Sequence, residues 1–554
     1  KECIDFICKD LQTAADYLPA RWESENKNFG RITSGAALAL KGRVELLYAS
    51  PLFNRADDVT RWETAYQTNL AAVKKLEEGN FGLAYENNSG KNAAGWGKIF
   101  SDYIGSEGGG GTVSEAVLVT LYNNVSPAEH LQLEKWNGWE HSLRPANAGG
   151  GGGMTPTAEM VDLFPMADGK KPNDMNGSYD YNQELFFLNR DPRFYRTFAF
   201  PGVEWKFDSD DLKSFGEKGQ LPYGINGYTT GNNYKLWNYC WYDNVDDRNS
   251  NSKSGYAADC LGTKNTGIYL RKRTDDLVLN SNPLYIFEKT SGNGFRQSAA
   301  PYMEIRFAEV LLNYAEAACG ANHFDEAVNA LKRIRKRVGY TDNCGLDPAI
   351  FNDRAKLFEA ILYERQIELA YEGKRFHDVR RWMLFDGGVG QEALKSTWKL
   401  TGFNGNTCNY LGVEPLNGQR RHRIEVYAKN FIAAKSNNVY NEDKTIKETY
   451  DELWNKRPTA LSLTEDITCT ESADDEITYA DAKVKALAQF YQEHFKRKNL
   501  STDGNDETIL PTFKPYYYIL GFKKNAMQNN VSLEQNIGWG DYWRGGADGT
   551  FDPL

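Results

Sequence analysis

The stretch from Pro301 to Arg381 constrains the fold more than any other part of this 554-residue sequence. Pro301 precedes an apolar stripe of Ala308, Leu311, Leu312, Ala315 and Ala318, ended by Gly320. A second stripe, Phe324, Ala327, Val328, Leu331, Ile334 and Val338, ends at Gly339. Residues three and four apart share one face of a helix. Glycine just past a helix end accepts a positive φ at no steric cost. The spacing predicts two antiparallel helices with small residues at their crossing. Such a pair within about 37 residues has the shape of a tetratricopeptide-like (TPR-like) repeat.

The same stretch closes on "ERQIELAYEGKRFHDVRRW", residues 364–382, with glutamates four apart and then a burst of arginines. Phe358, Ile361, Leu362 and Leu369 define the apolar face of this helix, and Arg365, Glu368 and Glu372 project beside or into it. Buried charges left unpaired cost several kcal/mol each, so these must pair. Arg365 is expected to reach Glu368 and Glu372, with Arg380 and Arg381 arriving one turn later. The result is an internal ion-pair network that fixes the helix register. The alternative is a carboxylate site for glycoside hydrolysis or a metal. Hydrolysis needs convergent acids in an open cleft, one with a raised pKa. Interleaved arginines push carboxylate pKa values the other way. His377 stands alone, and the six histidines form no HExxH or HxxxH pattern. The reading is structural.

Residues 1 to about 78 carry three further helical patterns, and another runs near 479 to 497. The chain opens inside the first pattern with no cap before it, so it reads as starting part-way through a helical unit. Between 100 and 300 the texture changes to glycine runs (108–111, 149–153) and polar, aromatic-rich segments. Neither run is followed by GK[ST], so neither is a phosphate loop. The expected organisation is TPR-like helices over 1–100, an irregular loop-rich region over 101–300, TPR-like helices over 301–390 and a mixed region over 391–554, all one unit. The fold class is mainly α.

With 65 Lys+Arg against 75 Asp+Glu, the net charge is −10 and no basic block stands out. This argues against nucleic acid, whose binding rests on a concentrated cationic footprint. The eight cysteines include no CxxC pair, and Cys240 and Cys260 flank one loop that an oxidising compartment could bridge. No apolar run approaches the roughly 18 residues of a membrane span.

The block "PYMEIRFAEVLLNYAEAACGANHFDEAVNALKRIRKRVGY" with "YERQIELAYEGKRFHDVRRW" resembles the signature half of the SusD/RagB family of outer-membrane nutrient-binding lipoproteins. "GRITSGAALALKGRVELLYAS", "SEAVLVTLY", "GGGMTPTAEMVDLFP", "NRDPRFYRTFAFPG", "TGIYLRKRTDD" and "QNIGW" agree in order. The resemblance implies a TPR-like platform with a loop-rich face that captures a glycan or peptide. It implies delivery to a SusC-like TonB-dependent transporter, on the extracellular face of the outer membrane, without catalysis. The family's lipoprotein signal and acylated cysteine are not in this sequence, so lipid anchoring, the sole membrane contact expected, is implied by family alone.

Tyr and Trp in loops suit sugar or peptide binding, because they offer flat apolar faces with a polar handle. The resemblance directs attention to Trp237, Tyr239, Trp241 and Tyr242, whose alternation would set three rings on one side of an extended segment. The same pattern also describes a buried strand. Trp136 and Trp139 in "EKWNGWEH" are a second candidate pair. "DSDD" at 208–211 and "DNVDD" at 243–247 offer oxygen ligands for calcium but lack EF-hand spacing. No cofactor is expected. The rival functions are a surface glycan hydrolase and a TPR adaptor that binds a protein partner in a helical groove.

Overall fold

The structure is a computed structural model that describes residues 1–90, 93–101, 113–124, 135–145, 150–151, 153–205, 234–237, 239, 267–274, 284–288, 294–384, 422–429, 439–440, 446–448, 453, 456–463, 482–501 and 515–552. It is mainly helical. Helices α1 (Glu2–Tyr17), α2 (Ser34–Ala49) and α3 (Val59–Glu78) come first, in the order the periodicity predicts. Thr33 caps α2 by accepting from Ala36 N at 3.2 Å, and Asp58 caps α3 by accepting from Thr60 N at 3.0 Å. The two helices approach closely because α2 is built from Gly and Ala. A Cβ added at Gly42 would meet the Asn69 side chain at 2.4 Å, and one at Gly35 would meet Leu76 at 2.6 Å. Asn69 donates back to the Gly42 carbonyl at 3.2 Å, so the crossing is polar at its centre and apolar around it.

Helix α4 (Ala94–Ser101) buries Trp96, Ile99 and Phe100. Strand β1 (Ala116–Thr120) pairs antiparallel with β2 (Tyr302–Arg306). This strand is a departure from the sequence reading, which began a helix directly after Pro301. Alternation decides the matter locally: Met303 and Ile305 are buried while Tyr302 and Glu304 are half-exposed. Helix α5 (Phe307–Gly320) then packs against α2 and α3. Its stop is made by Asn322 in the left-handed region (φ 68°), not by Gly320. Gly320 is required for another reason, since a Cβ there would sit 2.2 Å from the Trp62 ring.

Helices α6 (Phe324–Arg337), α7 (Arg354–Glu368) and α8 (Arg375–Arg381) complete this block. Gly339 follows α6 with φ 106°, as the stop signal requires. Trp62, Phe358 and Trp382 pack with centroid separations of 5.2, 6.4 and 5.0 Å and clamp α3 to α7 and α8. Later, α9 (Ala482–His494) runs into β4 (Phe495–Ser501), which pairs along its length with β3 (His422–Ala428). The largest buried apolar cluster extends from Ala36 to Tyr518 and draws on helices and irregular segments alike. Among the described residues no helix is long and apolar enough to cross a membrane. Cys3, Cys8, Cys319 and Cys344 are free thiols, while Cys240 and Cys260 lie outside the described residues.

Candidate functional site

Most of the charges of residues 364–381 belong to two buried networks, and their pairing differs from the sequence reading. Helix α7 ends at Glu368, and the chain turns through Tyr371 (φ 61°) and Gly373 (φ 78°), so Glu372 lies beyond the helix. Glu364 and Glu368, one turn apart, face one way. Arg365 sits about 100° further round and faces the other. Arg365 therefore does not meet Glu368 or Glu372. It donates to Asp378 from Nε and Nη2, each at 3.1 Å, and to Asn313 Oδ1 at 2.6 Å. Arg381 joins the same cluster, pairing with Asp378 at 2.8 Å and with Glu316. Arg380 belongs to neither network; it donates to the Tyr518 carbonyl at 3.0 Å from Nε.

Glu368 is the centre of the larger network. Its carboxylate accepts from Arg306 at 2.7 Å, from Arg193 at 2.8 Å, from the Trp96 indole at 2.9 Å and from Arg337. Glu372 accepts from Arg306 Nε at 2.7 Å and from Lys272 at 2.7 Å. Glu364 bridges Arg193 and Arg335, Glu115 bridges Arg306 and Arg337, and Asp191 pairs with Arg193. Five cations thus face five carboxylates, all buried. Burial raises the Glu372 pKa, but Arg306 and Lys272 outweigh it and hold the carboxyl at about 2. Glu368 is held well below the usual range by Arg337, Arg306 and Arg193 despite the same burial. Carboxyls so held stay ionised, the reverse of a general acid.

Trp237 and Tyr239 are the clearest correction. They are only 3% and 0% exposed. Residues 234–236 pair antiparallel with 203–205, and this strand pair packs against α9 through Gly202 and Trp237. The Trp237 ring meets Phe490 at 5.7 Å, and Tyr239 meets Phe495 at 4.7 Å. They are core, not an exposed platform. Trp241 and Tyr242, and the acidic runs at 208–211 and 243–247, lie outside the described residues. Among the described residues no cluster of His, Cys, Asp or Glu could hold a metal ion.

The second aromatic pair separates. Trp136 is 41% exposed and stands apart, whereas Trp139 forms the wall of a cleft of about 140 Å³. Phe100, Tyr122, Asn137, Arg273 and Tyr302 complete its main surfaces. Asn137 pins the floor, donating from its side chain to the Ala300 carbonyl at 2.8 Å and from its backbone to Ser298 O at 3.0 Å. The Trp139 indole donates to Lys272 O at 3.3 Å. Neighbouring side chains then part company: Lys272 drops into the ion network under Trp96 and Phe100, while Arg273 lies at the cleft. The Arg273 guanidinium lies 5.2 Å from the Trp139 ring centre and 4.9 Å from that of Tyr302. Arg273 adopts φ 71°, a strained choice for a residue with a Cβ. Tyr302 is anchored by donating to Glu372 O at 3.2 Å. A rigid charged core thus carries two flat rings and a cation at one opening. Arg273 and Tyr302 were not singled out in the sequence; the basic run Arg271-Lys272-Arg273 stands out there, but only the fold shows that Arg271 and Lys272 are buried while Arg273 is not.

A profile of the SusD family matches residues 97–539. The chain belongs to the SusD family. SusD-like protein P2 of Formosa agariphila is 34% identical over 131 residues, which is 22% of this chain and 25% of that protein. The match therefore spans only a quarter of that relative's length. Among solved structures, a SusD-like protein (BF3747) from Bacteroides fragilis superposes with a TM-score of 0.53 at 20% identity, over 97% of this chain and 71% of its own. A second, BT4246, gives 0.54 at 18% identity over 96% and 75%.

Proposed function

We propose that this SusD-family chain captures a nutrient glycan at the cell surface and passes it to a SusC-like TonB-dependent transporter, held at the outer membrane by a lipid anchor. The observation that carries capture is the cleft: Trp139 and Tyr302 flank Arg273 above a floor pinned by Asn137. Sugar hydroxyls exchange water bonds for protein bonds of similar strength, so polar contacts alone give little net affinity. Apolar sugar faces stacked on flat rings, with a few fixed polar groups, supply the gain. At about 140 Å³ the cleft is smaller than the roughly 300–1,000 Å³ that encloses a whole small molecule, so it grips one unit of a longer chain. A peptide would use the same rings but would also want backbone partners.

The test is an affinity-gel and array screen across polysaccharides and peptide pools, run on the parent and on Trp139→Ala. Retardation by at least one polysaccharide, lost in the variant without loss of thermal stability, is the expected result. Retention of that binding in Trp139→Ala would move the site elsewhere. Handover is checked separately by mild detergent extraction of outer membranes, where a large β-barrel should co-purify. Recovery of the protein alone would remove the transporter from the reading.

A further inference from the structure

A second cavity, of about 450 Å³, opens between α2 and α8. Among the described residues five cations line it: Arg43, Arg365, Lys374, Arg380 and Arg381. Four of them face carboxylates. Arg43 donates to Glu309 and to Glu304, each at 2.9 Å, and Lys374 lies 3.2 Å from Glu304. Arg365 and Arg381 share Asp378, and Arg381 also takes Glu316. Glu304, Glu309, Asp378 and Glu316 thus balance four cations. Arg380 is the fifth.

Its Nε and Nη2 donate to the Tyr518 carbonyl at 3.0 and 2.5 Å. That carbonyl is neutral, so it fixes the guanidinium without cancelling its charge. Among the described residues Arg380 has no carboxylate within ion-pair distance, and its Nη1 has no hydrogen bond. His377, exposed at the same opening, has its proton affinity lowered by burial and by the positive charge of Arg380, Arg43 and Lys374, which outweigh Asp378. Val44, Leu46, Leu47 and Phe53 supply an apolar wall opposite.

We propose that this cavity binds an oxyanion group, a carboxylate or a sulfate ester, carried by a ligand, with Arg380 as the charged anchor and the α2 wall holding the ligand's body. A guanidinium fixed along one edge presents its free nitrogen in a set direction, and charge-assisted hydrogen bonds of this kind are about twice as strong as neutral ones. The volume lies within the roughly 300–1,000 Å³ of sites that enclose small molecules. The inference rests on charges outside the aromatic cleft and stands whether or not that cleft takes a glycan.

The experiment titrates histidine-labelled protein with sodium sulfate, sodium acetate and glucose in separate arms, with chloride holding ionic strength constant, and follows the His377 ring by NMR. A saturable shift with sulfate, acetate or both, in the direction of a higher His377 pKa, is expected, and none with glucose. Whichever anion responds names the group. Arg380→Gln should weaken the response by roughly tenfold or more, the loss of one charge-assisted contact, and Arg380→Lys by less. Because Arg380 also holds Tyr518, Leu47→Asp serves as a second variant. It places a competing carboxylate at an exposed position of the wall, and should weaken anion binding while leaving the fold intact. No saturable response to either anion, or equal responses in parent, Arg380→Gln and Leu47→Asp, would overturn the proposal.

Discussion

Glu368 sits beneath three arginines and an indole, and Glu372 beside Arg306 and Lys272, all buried. Such groups make stability depend on pH in a direction that can be worked out. The Glu372 carboxyl is lowered from 4.5 to about 2, and that of Asp378 from 3.8 to about 2, the latter by Arg365 and Arg381 against the pull of burial. A carboxyl whose folded pKa is depressed contributes stability that is complete above its unfolded pKa and is lost as pH falls toward the folded one. Each contributes on the order of 2 to 3 kcal/mol near neutrality. Unfolding free energy should therefore hold steady above about pH 5 and fall steeply between about 4.5 and 2. Denaturant titrations at a series of pH values check this. A profile still flat at about pH 3 would mean that these carboxyls are not paired as described. The sequence made the existence of the strut legible, because arginines and glutamates fell beside an apolar face. It did not make the partners legible. Arg193, Glu115 and Lys272 come from elsewhere in the chain, and no local spacing announces them.

The strand pair that leads into Trp237 shows where periodicity stops being informative. Alternation predicts an extended segment with Trp237 and Tyr239 on one side, whereas the strand ends at Leu236 and Tyr239 N donates back to Trp237 O at 3.0 Å. Whether these rings are buried depends on Phe490 and Phe495, contributed by α9 and β4 far along the chain. The helices were easier, since an apolar stripe states both the element and its buried face. The glycines of α2 and the Trp62–Phe358–Trp382 clamp follow from the same logic at the level of packing. The core position of Trp237 reverses what its removal should do. Trp237→Ala leaves a cavity against Phe490 and Arg457, and should cost roughly 3–5 kcal/mol. Guanidinium unfolding measures the loss, and binding by the fraction still folded should match the parent. A variant as stable as the parent that had lost its ligand would return Trp237 to the binding face.

At the scale of the whole molecule, the strut gathers ionised acids in the interior, and the described walls of the aromatic opening hold none. Phe100, Tyr122, Asn137, Trp139, Arg273, Ser298 and Tyr302 face the cleft, and among its described lining residues there is no Asp or Glu. Glycoside hydrolysis needs two carboxyls, about 5 Å apart for retention or roughly 6.5–9.5 Å for inversion, with one raised to act as acid. Burial does raise Glu45 and Glu359. Glu45 lies on α2, however, and Glu359 on α7 is tied to Lys171 at 2.8 Å, so neither reaches a sugar held against Trp139. The strut acids near the cleft are pinned as anions by arginine. A glycosidic bond lying across the cleft would therefore find rings to stack on and a cation to contact, but no carboxyl among the described lining residues to protonate its leaving oxygen. The expected behaviour is capture without turnover. The polysaccharide that retards the protein in an affinity gel, incubated with it for hours, should yield no reducing ends above the blank. New reducing ends that persist after repurification and vanish in Trp139→Ala would show a catalytic pair at this opening and restore the hydrolase.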